Sequence, residues 1–196
     1  MPEVAQAQFF ENDQTIEFSD ILFLVVEANK KLSAFEKKII SHLTVSKKNF
    51  LLIINKSDLI GNKKFFLNKY ISENLTQFTN FDSFLITLVS AKQQNGIKSL
   101  ELKFKNLYKL INSRFSTGKL MRVLGNLLKD KPILSTSRNK IPKIKYLHQG
   151  RVNPVTLIFY GKNLNYIPKN FIKYMERYFI KSLSLNGSQI RFIFKN

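Results

Sequence analysis

The sequence predicts an α/β chain, with a parallel sheet carrying helices on both faces followed by a small α+β domain. Three observations predict it. Three short apolar runs, at residues 21–26 (ILFLVV), 50–54 (FLLII) and 84–89 (FLITLV), are separated by stretches of helical periodicity. Buried strands alternating with helices specify a parallel sheet. After residue 112 the order changes to helix, strand, strand, helix, strand. An apolar content of 44% over 196 residues is enough to bury the cores of one large or two small domains.

Residues 1–19 carry Glu3, Glu11, Asp13 and Glu17, an acidic content foreign to signal and transit peptides, and no element is assigned to them. The run at 21–26, bracketed by Asp20 and Glu27, reads as a strand buried on both faces and is far too short to cross a bilayer. Ser33 stands three residues before Glu36, a capping-box spacing, and Phe35, Ile39, Ile40 and Leu43 continue a helical stripe. Residues 63–77 and 97–112 read as further helices on either side of the third strand. Domain boundaries follow: 1–19 unassigned, 20–112 the sheet domain, 113–196 the α+β domain.

In that second domain Ser116 caps a helix through about Lys129, with Leu120, Val123, Leu124 and Leu127 on one face. A polar segment from 130 to 142 leads to strands at 143–149 and 155–160, a helix at 168–183 opening on Pro168, and a strand at 189–194. Phe171, Met175, Tyr178 and Phe179 line one helical face and are expected in the core rather than on a binding platform.

Lys and Arg total 32 against 13 acidic residues, a net charge of +19. So basic a chain calls for an anionic partner, nucleic acid first. The absence of cysteine excludes disulfides and thiolate metal sites, and His42 and His148 stand apart with no ligand pattern around them. A cytoplasmic protein with no membrane partner and no metal site is expected.

Asn55-Lys56-Ser57-Asp58 follows the second strand, and Ser90-Ala91-Lys92 follows the third. Loops at the carboxyl ends of strands are where such sheets place ligand sites. The chemistry fits guanine. A carboxylate at Asp58 accepts from the ring N–H and the exocyclic amine, a donor pair that adenine does not present. Asn55 holds the N7 side and ties loops together, and the stem of Lys56 covers one face of the base while its ammonium stays wet. The Ala91 N–H is placed to donate to the guanine carbonyl, with Lys92 on the base's other side. The bland alternative is a solvated turn in which Asp58 caps the next helix.

The phosphate half of a nucleotide site is missing from the sequence. No G-x-x-x-x-G-K-[ST] occurs; Ser116-Thr117-Gly118-Lys119 lacks both the earlier glycine and the following hydroxyl. The one D-x-x-G, Asp58 to Gly61, uses the carboxylate already assigned to guanine. Without a P-loop, switches and a magnesium carboxylate, these residues alone are expected not to hydrolyse GTP.

These motifs, in order, resemble the C-terminal part of the ribosome-assembly GTPase family Der, also called EngA. FSDILFLVVEA, LLIINKSDLI and LVSAKQQNGI resemble the back half of its second GTPase domain; FSTGKLMRVL, KIKYLHQGRVNPVTLIFYGK, FIKYMERYFIKSL and GSQIRFIFK resemble its terminal KH-like domain. The resemblance runs from about residue 20 onward. It implies a partial P-loop-type GTPase domain followed by a KH-like domain, with GTP or GDP bound weakly or not at all, and magnesium only in a complete family member. It also implies a large-subunit ribosomal precursor or ribosomal RNA as partner, and a second polypeptide as a source for the missing GTPase half. The chain departs from the family in lacking the first GTPase domain and the front of the second, and in having Ser57 where a bulky residue is usual. A fragment, a split-gene product or a truncated copy is expected. The alternative is a non-enzymatic basic RNA- or ribosome-binding module with a vestigial guanine site.

No two glycines stand three apart, so the G-x-x-G loop by which KH domains clamp RNA, and which Era would show, is absent. RNA contact is therefore expected from dispersed charge: Lys131, Arg138, Lys140, Lys143, Lys145, Arg151 and Lys162.

Overall fold

A computed structural model describes residues 13–78, 80–133 and 140–196. The chain divides into two compact units, Met1–Tyr108 and Lys109–Asn196. The division falls within helix α4 (Ile97–Ile111), whereas the change of sequence character comes after residue 112.

The first unit runs α1 (Asp13–Phe18), β1 (Ile21–Glu27), α2 (Ala34–Val45), β2 (Asn49–Asn55), α3 (Lys63–Asn74), β3 (Leu85–Leu88) and α4. Its three strands lie in the order β1-β2-β3, all parallel, with Glu27 opposite Asn55 at the carboxyl end. Helix α1 is an element the sequence patterns did not reveal; its Ile16 is buried in the core with Val26, Ile40, Leu43, Leu52 and Ile54.

Helix starts follow their capping residues. Ser33 Oγ accepts from the Glu36 N–H at 3.2 Å while Glu36 Oε2 accepts from the Ser33 N–H at 2.7 Å, the reciprocal bonds of a capping box. Helix α3 is capped by Asn62, whose Oδ1 accepts from the Phe65 N–H at 3.0 Å. It stops at Asn74 rather than residue 77, because side chains take over its end. Asn74 Nδ2 donates to the Tyr70 carbonyl at 3.0 Å, and Asn74 Oδ1 accepts from the Leu32 N–H at 3.2 Å, tying α3 to a loop 42 residues away.

Central strand β2 is buried from Asn49 to Ile54, as its continuous apolar run requires. Strand β1 is not buried on both faces as expected. Phe23 is 49% exposed and Val25 57%, because β1 lies at the edge of the sheet order and α4 reaches that face mainly through Phe104, whose ring meets Phe23 edge-on at 5.6 Å. The opposite edge is closed. Lys103 Nζ donates to the Ile86 carbonyl at 2.5 Å, and Gly96 (φ 83°) lies so close that a Cβ there would meet Leu88 O at 2.2 Å.

The second unit comprises α5 (Thr117–Asp130), β4 (Lys143–Arg151), β5 (Val155–Lys162), α6 (Lys169–Ser182) and β6 (Ile190–Lys195). Strands lie in the order β4-β5-β6, the first pair antiparallel and the second parallel. One face of this sheet packs Leu147, Val155, Leu157, Phe159 and Ile190 against Leu120, Leu124 and Leu127 of α5 and Phe171, Met175 and Phe179 of α6. Tyr178 packs against the same core but stays half-buried, and its hydroxyl donates to Asp130 Oδ2 at 3.1 Å, satisfying a polar group that full burial would strand. Among the described residues no helix is long and apolar enough to cross a membrane.

Candidate functional site

Both nucleotide-like motifs emerge at the carboxyl end of the parallel sheet and are fastened there by main-chain bonds. The Ala28 N–H donates to the Asn55 carbonyl at 2.9 Å, joining the ends of β1 and β2. The Val89 N–H donates to Ile54 O at 2.9 Å and the Ser57 N–H to Val89 O at 3.0 Å, joining β2 and β3. Lys56 turns the chain through a left-handed conformation (φ 63°), and Ser57–Leu59 form one turn of 3₁₀ helix.

Side chains then lock the two loops together. Asn55 Oδ1 accepts from the Ala91 N–H at 3.0 Å, and Ser90 Oγ donates to Asp58 Oδ1 at 2.6 Å. The same Ser90 oxygen accepts from the Gln93 N–H at 3.2 Å. Ser90 and Asn95 bond each other's main chains at 2.9 and 3.1 Å, so the second loop closes on itself. Asn55, Asp58, Ser90 and Ala91 thus form one connected cluster. Asp58 is not a helix cap; Asn62 fills that place.

The Ala91 N–H, expected to face a guanine carbonyl, is engaged by Asn55. It reaches a base only by sharing its hydrogen or releasing that side chain. The carboxylate retains acceptor capacity, since Ser90 satisfies one of its several lone-pair directions.

The electrostatics keep the acceptor charged. The Ser90 hydroxyl, first, and the residue's own backbone amide hold the Asp58 carboxyl below its ordinary value, helped by the charges of Lys92 and Lys56. Lys56 pairs with Glu27 Oε1 at 2.9 Å, and Lys30 reaches Glu27 Oε2 at 3.0 Å. Those two ammonium groups hold Glu27 below the usual carboxylate range as well. Glu27 is a site residue that sequence reasoning missed; its one signal was its place as the last residue of an apolar strand.

The dispersed basic residues occupy separate places in the second unit. Lys143 and Lys162 sit opposite each other where β4 begins and β5 ends, with Lys145 exposed nearby. Lys140 donates to the Tyr166 hydroxyl at 2.7 Å. Arg151 lies at the far end of β4, about 25 Å away at the usual strand rise. Lys131 follows α5 and sits 5.0 Å from the centre of the Tyr174 ring. Arg138 lies outside the described residues. Tyr146, His148 and Tyr160 come together on the other face of this sheet, as the alternation of KIKYLHQG and VTLIFYGK encodes.

The family described as KH-domain-like of EngA bacterial GTPase enzymes, C-terminal, matches residues 114–195. The match lies within the second unit. The wider chain is similar to GTPase Der: 28% identical over 183 residues to the protein of Hamiltonella defensa and 29% over 185 residues to that of Buchnera aphidicola, each match covering 93% of this chain. It spans only 36% and 40% of those relatives' length. Among solved structures, Aquifex aeolicus Era bound to GDP and aluminium fluoride is 19% identical with a TM-score of 0.38, covering 92% of this chain and 66% of that one. The EngA KH-domain-like match thus covers the helix–strand–strand–helix–strand half, and the similarity to GTPase Der extends across the parallel sheet.

Proposed function

We propose that this chain is the base-reading half of a guanine-nucleotide domain joined to an EngA KH-like unit, and that it serves assembly of the large ribosomal subunit in the cytoplasm. The observation that carries the reading is the lock between the two loops. Asn55 to Ala91 and Ser90 to Asp58 hold the N-K-x-D and S-A-K segments in one cluster, with Asp58 ionised. The phosphate-reading elements come from residues outside this sequence, supplied by a second polypeptide or by a longer form of the protein. The outermost place of β1 among the described strands, with Phe23 and Val25 exposed on one face, supports that completion, since native sheets cover or charge such edges. By itself the chain binds GTP or GDP weakly and does not hydrolyse GTP. In the KH-like unit, Lys140, Lys143, Lys145 and Lys162, with Arg151 and Lys131, contact ribosomal RNA through phosphates.

Titration of a fluorescent guanine nucleotide into the purified chain tests the first part. Weak binding is expected, competed equally by GTP, GDP and guanosine, resistant to adenosine, and lost in Asp58→Ala. Competition by adenosine as effective as by guanosine would end the guanine reading. Binding of GTP hundreds of times tighter than guanosine would instead mean that a phosphate site exists within these residues. Sedimentation with ribosomal subunits tests the second part. Association that ignores GTP and falls with salt fits the basic contacts and, if guanine binding is also absent, leaves a non-enzymatic RNA-binding module. No association at low salt removes the ribosomal role.

A further inference from the structure

The outer face of the second sheet carries three aromatic rings that the core does not use. Side chains alternate along strands, so with Leu147, Leu157 and Phe159 turned inward, Tyr146, His148, Ile158 and Tyr160 turn outward. Register brings them together: Tyr146 stands opposite Tyr160, and His148 opposite Ile158. His148 and Tyr160 are stacked at 5.5 Å and 17°, with Tyr146 5.7 Å from His148 and 6.0 Å from Tyr160. Tyr146 remains 44% exposed. Phe115, Thr117 and Gln149 wall one side of a shallow, open hollow of ≈ 530 Å³ over the rings.

The charge around the rings has one sign. Lys195 lies opposite Tyr160 in β6 with its Nζ 5.7 Å from the ring centre, and Arg191 and Lys162 point the same way. Strands β4, β5 and β6 contain six Lys or Arg and no Asp or Glu. Gln149 is committed to structure, accepting from the Phe115 N–H at 2.8 Å and donating to Ser113 O at 3.0 Å, so it does not read a ligand. His148 Nδ1 is buried and has no hydrogen-bond partner among the described residues.

We propose that Tyr146, His148 and Tyr160 form a stacking platform for unpaired bases of single-stranded RNA, with Lys195, Arg191 and Lys162 tracking its phosphates. A flat sheet face with exposed rings and surrounding cations is the arrangement that binds single strands, because every base has a π-face and every linkage a negative charge. A duplex offers no free base to such a surface. The choice of RNA over other polyanions rests on the ribosomal role proposed for the chain; the stacking itself rests on the rings. It replaces the missing G-x-x-G clamp with a different mode of grip, on the sheet rather than in a loop.

The test is fluorescence anisotropy of the full chain with a labelled mixed-sequence oligoribonucleotide of about ten nucleotides, single-stranded and as a duplex, plus quenching of a 2-aminopurine within it. Tyr146→Ala and Tyr160→Ala should each weaken single-strand binding roughly 5- to 100-fold, leave duplex binding and the salt slope unchanged, and abolish quenching. Tyr146→Phe and Tyr160→Phe keep the ring and should bind as the parent does, which separates lost stacking from lost folding. Lys162→Ala should lower affinity and salt slope for both forms alike. Tyr146→Ala binding as tightly as the parent while Lys162→Ala weakens would overturn the platform and leave the charge-based reading intact. Loss of self-association in Tyr146→Ala with RNA binding untouched would overturn it in favour of a protein partner. No RNA binding by the parent chain at low salt would overturn both.

Discussion

Removing the Asn55 side chain by Asn55→Ala isolates the tie between the two loops. Its Oδ1 accepts one bond, from the Ala91 N–H at 3.0 Å, while Ser90 and Asn95 hold the second loop by two main-chain bonds of their own. A net hydrogen bond contributes about 1 kcal/mol, which corresponds to a roughly fivefold shift in the equilibrium between tied and released loop. For a unit of this size that loss lowers the thermal midpoint by about 5 °C. Amide exchange followed by NMR gives the sharper reading. The Ala91 amide should lose protection, while the Ser90 and Asn95 amides keep theirs because their partners are untouched. Guanosine affinity should fall as well, since the base then meets a loop that must first be ordered. Unchanged exchange at Ala91 would refute the tie. Equal loss of protection at Ser90 and Asn95 would refute its independence from the rest of the loop.

Three further outcomes follow from the geometry. Ser90→Ala removes the strongest influence lowering the Asp58 pKa from its ordinary 3.8. Because the folded value lies below the unfolded one, the associated stability is complete above about pH 5 and drains away as pH falls through the folded value. Parent and variant should therefore differ at neutral pH and converge in acid, with the Asp58 carboxyl titrating higher in the variant by NMR. Gly96→Ala places a methyl where Leu88 O lies 2.2 Å away, at a φ of 83°. It should cost more than about 1 kcal/mol in denaturant unfolding. Phe159→Ala empties a fully buried position between the second sheet and its helices, and unfolding should show a loss of about 3–5 kcal/mol.

Much of this fold was legible because short-range rules decide it. The capping box at Ser33 and Glu36, the Ser116 cap and the buried run of β2 each follow from a few neighbouring residues. What failed depended on distant partners. Nothing within residues 21–26 distinguishes a central strand from an edge strand; that depends on which strands stand beside it. Likewise α3 ends early because Asn74 is held by Leu32, a contact local sequence does not contain. At the candidate site, residue types and loop placement were readable, but the Asn55–Ala91 engagement and the Glu27–Lys56 pair were not. The first requires the parallel pairing of β2 with β3, and the second the pairing of β1 with β2 that sets Glu27 beside Asn55. The ring cluster of Tyr146, His148 and Tyr160 is a product of register as well, since β4 must align with β5 to bring the rings together.

The two edges of the parallel sheet give it a finished end and a growing end. At β3, Lys103 occupies the Ile86 carbonyl and Gly96 closes over Leu88, so no further strand can dock there without displacing them. Among the described residues the ladder stops at β1, where Phe23 and Val25 are exposed. Enlargement of this sheet therefore has a direction. A parallel strand joining at β1 would deliver its carboxyl-terminal loop beside Glu27, and through Glu27 to Lys56, next to the Asn55–Asp58 loop.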